Sequence, residues 1–237
     1  MEPEHKLVSP PKDGTIWIAS FDIGCVNFAF CIEEINVREI QSIKNIVQKD
    51  RYHKDGSLSI EFSKIIHEVT MNGEIILVEN SNLTGQGEGL PNMKSNSGDP
   101  RILVNMTHLL EKYSEYWKHC STFIIEQQMS FGNKRNTMAL KLGQHCFSYF
   151  IIKFEVEKCV MEFPAYYKTR IMGAPKKLTK HARKMWSVEE AIKILLHRND
   201  HNTLDQITAR KKRDDVADVI VQLQSFKYLH FVDKKFM

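Results

Sequence analysis

An α/β sheet flanked by helices is the fold class that the sequence predicts, and three observations predict it. Short apolar or β-branched runs recur along the chain and read as strands. Stretches with helical spacing lie between and after them. The composition, 42% hydrophobic and 26% charged over 237 residues, is that of an ordinary globular domain.

The elements follow in order. Residues 15–21, TIWIASF, are nearly all apolar and end at Asp22, as a central strand buried on both faces would. Gly24 breaks this run before a second strand over residues 26–32, and a third is expected within residues 40–47. Leu58, Phe62, Ile65 and Val69 share one helical face, and the β-branched residues 74–78 then read as a strand. Residues 80–100, NSNLTGQGEGLPNMKSNSGDP, read as a long exposed loop inserted in the domain. Leu103, Met106, Leu110, Tyr113 and Trp117 line one side of a helix expected over residues 102–117. A short strand, 122–125, ends at Glu126, and a long helix is expected from about Asn136 to Phe154. Gly143 inside that helix costs about 1 kcal/mol against alanine, which a close approach to the sheet or across a dimer would justify. Residues 156–163 read as a strand stopped by Pro164. Ser187 followed by Glu190 is a capping-box pattern opening a helix with Ala191, Ile194 and Leu195. The last helix, 214–228, has Val216, Val219, Ile220 and Leu223 as its apolar face. No internal repeat is seen.

Several classes are excluded. The apolar runs are too short to span a bilayer. Residues 1–14 lack the basic start and apolar stretch of a signal peptide and read as a flexible leader, with one domain over 15–237; an intracellular protein is expected. Five scattered cysteines without a Cys-x-x-Cys pair argue against a disulfide framework and a structural zinc site. Charge is uneven: residues 161–237 carry 16 Lys plus Arg against 9 Asp plus Glu, while the chain as a whole has a net charge of only +4. A basic C-terminal third suits a polyanionic partner, although a solvated surface would look the same.

Carboxylates stand where buried elements meet the surface. Asp22 and Glu126 each end a strand, and Asp215 and Asp218 share a helix face at spacing i, i+3. If the last helix packs beside the first strand, all four converge. A hard, oxygen-rich cluster of this kind suits Mg²⁺, and two ions about 3.5–4 Å apart promote in-line phosphodiester hydrolysis. Each acid alone has an ordinary structural reading, as a strand end before a Gly turn or a solvated helix face. Their combination and order carry the inference.

Four segments, FDIGCVN (21–27), FIIEQQ (123–128), ALKLGQ (139–144) and KKRDDVADVI (211–220), are together specific. In their order and spacing the chain resembles the RuvC-type Holliday junction resolvases of the RNase H-like superfamily, particularly those of poxviruses and other large DNA viruses. The resemblance implies an RNase H-like mixed five-stranded sheet flanked by helices. It implies Asp22, Glu126, Asp215 and Asp218 as ligands of two Mg²⁺ ions, with Mn²⁺ as a substitute and Asp214 as a possible alternative ligand. Lys168 would lie near the scissile phosphate, and Met129 or Phe131 would take the place of a stacking aromatic. The implied activity is resolution of four-way junction DNA by a homodimer, leaving a 5′ phosphate and a 3′ hydroxyl. No nucleotide cofactor or membrane is implied, and the site of action would be that of viral DNA replication. The polar stretch 80–100 and a spacing after Glu126 about two residues longer depart from the bacterial pattern.

Basic residues near these motifs suit phosphate contacts: Lys134 and Arg135 after Glu126, and Lys176, Lys177, Lys180, Arg183 and Lys184 after Lys168. About half are expected to touch DNA, since such contacts are numerous and interchangeable. Three rivals remain: a related nuclease acting on another nucleic acid, an actin-like nucleotide-binding protein, and a junction-binding scaffold without catalysis. The actin-like fold needs a second phosphate loop in a duplicated half, which the sequence lacks.

Overall fold

The computed structural model describes residues 8–85, 99–128, 136–210 and 212–236. Five strands, β1 (Thr15–Asp22), β2 (Phe28–Asn36), β3 (Glu74–Ser81), β4 (Cys120–Gln127) and β5 (Cys159–Pro164), form one sheet in the order β3-β2-β1-β4-β5. The pairs β1–β2 and β2–β3 are antiparallel, and β1–β4 and β4–β5 are parallel. This mixed five-stranded sheet with helices on both faces is the architecture that the resemblance implied. The helices are α1 (Val37–Ser42), α2 (Ile60–Met71), α3 (Pro100–Lys112), α4 (Ser114–His119), α5 (Thr137–Phe154), α6 (Tyr166–Ile171), α7 (Lys180–His197), α8 (His201–Thr208) and α9 (Asp214–Lys227).

Each sheet face buries its own core. Ile18 and Ile124 pack with Val219, Ile220 and Leu223 of α9 and with Ala191 and Leu195 of α7. On the other face Phe21, Phe123 and Ile125 pack with Met106, Trp117, Leu142 and Phe150 from α3, α4 and α5. Phe123 stacks on Phe150 with centroids 4.0 Å apart. Successive strand side chains point to opposite faces. Asp22 therefore falls on the α9 face with Ile18 and Ser20, and Glu126 falls there with Ile124. Phe21 pairs with Ile125, so the two acids leave the sheet side by side.

Several expectations are corrected. Residues 40–47 form no strand: Asn36 caps α1, its side chain accepting from Glu39 N–H, and only Ile40 of that helix is buried. The helix expected over 102–117 breaks at Tyr113 into α3 and α4, and Trp117 Nε1 donates to the Leu110 carbonyl at the break. β5 starts at Cys159 rather than residue 156, because the chain turns at Glu155 (φ 48°) and leaves Val156 98% exposed. Ser187 opens no helix. α7 begins at Lys180 behind the Thr179 cap, and Ser187 is buried in its middle. The polar stretch is not exposed from its start, because Leu83 and Thr84 are buried and Leu83 N–H donates to Cys25 C=O. Among the described residues a Cβ at Gly143 would meet only Gln128 Cγ, at an ordinary 3.5 Å, so none of them approaches closely enough to require the glycine. Residues 86–98, Met129, Phe131, Lys134 and Arg135 lie outside the described residues. Within the expected leader, Val8 packs on the core and Lys12 N–H donates to Glu34. Among the described residues no helix is long and apolar enough to cross a membrane.

Candidate active site

Four elements bring charge to one end of the sheet. β1 delivers Asp22 and turns away at once at Gly24, where a Cβ would lie 2.6 Å from the Asn27 carbonyl oxygen. β4 delivers Glu126. α9 crosses the α9 face with Gln222 donating to Ser20 Oγ and Phe21 C=O, which fixes its height against β1. Asp218 lies one turn before Gln222 and so sits above the end of β1. α6 buries Tyr167, Lys168 and Ile171 against α9, and Ser225 Oγ donates to the Lys168 carbonyl. Lys168 is thereby aimed inward despite its charge.

The resulting contacts are short. Lys168 Nζ lies 2.8 Å from Glu126 Oε1 and 2.9 Å from Asp218 Oδ2. Asp22 and Glu126 share a hydrogen bond. Burial, then the Glu126 charge, pushes the Asp22 carboxyl well above the ordinary aspartate value. Burial also opposes the Glu126 charge, but the Lys168 ammonium outweighs it and holds Glu126 below its usual value. Lys168 itself is raised: burial works against its charge, and Glu126, Asp218 and Asp22 overcome that.

Asp215 stands apart from this group. Lys212 Nζ is 2.9 Å from its Oδ2, yet that atom is buried and accepts no hydrogen bond from the described residues. Burial raises the Asp215 pKa. Asp214 pairs instead with Lys184, which holds its carboxyl down against burial. Sequence reasoning missed Ser187, whose Oγ donates to Asp218 Oδ1 at 2.6 Å. A small hydroxyl on a buried helix face, opposite an acid, would have been the signal.

A cavity of about 830 Å³ opens beside Glu126, Lys168 and Asp218. Lys176, Lys177, Lys180, Arg183 and Lys184 line it, together with Arg170. Lys176 Nζ also donates to the Lys54 carbonyl, and Lys177 adopts φ 62°. The expected cations after Lys168 thus share one cavity with the acids, and its wall is strongly positive. The donor set fits Mg²⁺ in kind, since it consists of carboxylates and includes a buried Asp215 oxygen that is ion-paired with Lys212 but accepts no hydrogen bond from the described residues. Among the described residues, however, no three His, Cys, Asp or Glu side chains already converge as a metal-holding group. The Lys168 ammonium lies between Glu126 and Asp218.

No protein-family model matches the chain. Uncharacterized protein 97L of Invertebrate iridescent virus 3 is 32% identical, over 89% of this chain and 98% of its own length. Uncharacterized protein 170L of Invertebrate iridescent virus 6 is 29% identical, over 94% and 93%. Among solved structures, fowlpox virus resolvase in complex with Holliday junction DNA aligns with a TM-score of 0.49 and 17% identity, over 90% of this chain and 98% of that one. Thermus thermophilus RuvC aligns at 0.48 with 7% identity, over 91% and 98%.

Proposed function

Because the chain belongs to the iridescent-virus protein family that includes protein 97L, we propose that it is a viral DNA endonuclease of the RuvC type, which resolves four-way junctions by paired, Mg²⁺-dependent cuts. One observation carries the reading. Glu126 and Asp218, from β4 and α9, meet the buried Lys168 at the mouth of a cavity lined with cations, with Asp22 of β1 beside Glu126. Neutral ligands have no use for such a wall, whereas a phosphodiester backbone does.

The carboxylates of Asp22, Glu126 and Asp218, with Asp215 one turn before Asp218, would hold Mg²⁺. Bound there, Mg²⁺ would supply Lewis acidity toward the phosphate and lower the pKa of water. Asp22 must give up its proton to serve as a ligand. Ser187 keeps the Asp218 carboxylate turned toward the site. Lys168 is a fixed cation beside the acids, suited to charge that develops on the phosphoryl oxygens. Lys176, Lys177, Lys180 and Arg183 hold the backbone in register without reading sequence. The products are a 5′ phosphate and a 3′ hydroxyl. A two-fold homodimer matches a junction, which presents two equivalent strands. The protein would act where viral DNA is replicated.

The test is a substrate panel of mobile four-way junction, duplex, flap and RNA–DNA hybrid, incubated with purified protein in Mg²⁺, in Mn²⁺ and in EDTA. The reading predicts junction cleavage in either metal and none in EDTA. Preferred cleavage of the hybrid would keep a nuclease and reject the resolvase.

A further inference from the structure

The cavity beside the acids is larger than a phosphate requires. At about 830 Å³ it is of a size that takes whole nucleotides, base included. Part of its wall is aromatic and lies away from the carboxylates in sequence. Tyr52 lines it, and among the described residues the buried Tyr52 hydroxyl has no hydrogen-bond partner. The ring is held edge-on against Phe62, with centroids 5.3 Å apart, and the Tyr52 backbone is bridged to Leu58. The phenol is therefore fixed where it is. A buried hydroxyl without a partner is destabilising, and a ligand that reached it would remove that cost.

Tyr166 lines the same cavity from the first turn of α6. It is 54% exposed, the one exposed Phe, Tyr or Trp ring among the described residues. Its ring rests on Tyr167, with centroids 4.2 Å apart, so it is supported from behind and open in front. Tyr166 precedes the site lysine, Lys168, by two residues. Arg170, one turn further along α6, also lines the cavity. Gly56 also lines the wall, and the Lys176 stem packs where a Cβ at Gly56 would stand. Cations alone would hold a phosphate. An exposed flat ring and a waiting hydroxyl suit the face and edge of a base.

We propose that this part of the cavity is a nucleobase pocket: a base beside the scissile phosphate leaves the stack, lies on Tyr166 and is read at its edge by the Tyr52 hydroxyl. The inference rests on the nuclease reading and adds to it a source of sequence preference at the cut. Hydroxyl and ring have separate roles, the first in choosing among bases and the second in holding any of them.

The experiment compares wild type, Tyr52→Phe and Tyr166→Ala on junctions whose cut position has been mapped. One set carries each of the four bases at the two nucleotides on either side of the cut, and a second set is abasic at each of those positions. Binding is measured in EDTA and cleavage in single turnover with Mg²⁺. Tyr166→Ala should weaken binding to intact junctions by roughly 5–150-fold, the range for losing one stacked base. That loss should vanish at one abasic position. Tyr52→Phe should keep or raise the melting temperature and flatten the preference among the four bases there. The pocket is overturned if Tyr166→Ala loses the same factor on intact and all abasic junctions, or if Tyr52→Phe leaves the base preference intact. Wild type that binds no nucleic acid overturns both pocket and nuclease. Wild type that cuts a linear or hybrid substrate instead overturns only the junction reading, and the same abasic comparison on that substrate then decides the pocket.

Discussion

Ser187 Oγ donates a 2.6 Å hydrogen bond to Asp218 Oδ1, joining the middle of α7 to the acid nearest Lys168 on α9. Ser187 is buried, and Asp218 divides its two oxygens between the serine and the lysine. Ser187→Ala leaves the acid in place but free to turn. It should raise the Mg²⁺ concentration needed for half-maximal cleavage by about 10–100-fold, the usual effect of losing a group that orients a metal ligand. Junction binding in EDTA should stay the same. An unchanged Mg²⁺ requirement would make this bond purely structural.

Lys168→Ala removes the cation that, among the described residues, pairs with both Glu126 and Asp218. Single-turnover cleavage should fall by about two to three orders of magnitude, with a smaller effect on binding, because a fixed charge at the reacting phosphate matters most in the transition state. Without metal, the variant also leaves two largely buried carboxylates without their partner. Its unfolding free energy in EDTA should drop by about 3–5 kcal/mol, measured by urea titration. A loss confined to the dissociation constant would reduce Lys168 to an ordinary phosphate contact.

Asp22→Asn should be inactive yet no less stable. Burial and the neighbouring Glu126 raise the Asp22 pKa in the fold. The stability linked to its proton is therefore fully present below the unfolded aspartate value, and it is lost as pH rises through the raised one. Asparagine has no proton to lose. Thermal melts in EDTA should show the variant gaining on wild type as pH rises above the ordinary carboxylate range. Parallel melting curves against pH would contradict a raised Asp22 pKa.

The buried ion cluster on β2 sets a second pH limit, far from the chemistry. Glu33 Oε1 accepts from Arg198 Nη2 at 2.9 Å and from Lys227 Nζ at 2.7 Å, and its Oε2 accepts from Gln224. Burial pushes the Glu33 pKa up, but Arg198 and then Lys227 bring it below the ordinary value. Its contribution is present above the unfolded glutamate value and disappears as pH falls through the folded one. Glu33→Gln should cost about 3–5 kcal/mol at neutral pH by leaving buried Arg198 without its counter-charge, while Lys227, whose pKa burial already brings down to about 7, sheds its proton. It should also flatten the acid limb of the stability curve. A neutral effect would mean that Arg198 and Lys227 find other partners.

The parts of this site that the sequence made legible are those governed by strand alternation and helix spacing. A continuous apolar strand ending in Asp22, a short strand ending in Glu126 and an amphipathic last helix with acids near its start already define one face. Lys168 was found through resemblance, because a six-residue helix such as α6 has too few turns to leave a periodic trace. The pattern Ser187-x-x-Glu190 misled, since the same residues serve a cap or a buried helix face and only packing decides. The mistaken third strand has a local cause as well. Ile40, Ile43, Ile46 and Val47 look β-branched and extended, while Asn36 and Glu39, which form the cap of α1, lie just upstream. Asp215 looked equivalent to Asp218 by spacing. Its pairing with Lys212 depends on how the chain enters α9, which spacing does not encode.

The most direct test of the central claim is the single-turnover rate on a mobile four-way junction, with strand-specific mapping of the cuts, for wild type and Glu126→Gln in Mg²⁺. Glu126 touches both Asp22 and Lys168, so it lies at the centre of the site. The account predicts symmetric paired nicks by wild type, much slower cutting of duplex of the same sequence, and no cutting by Glu126→Gln although it still binds the junction. Glu126→Gln cutting at near the wild-type rate, or wild type cutting duplex and junction alike, would contradict it.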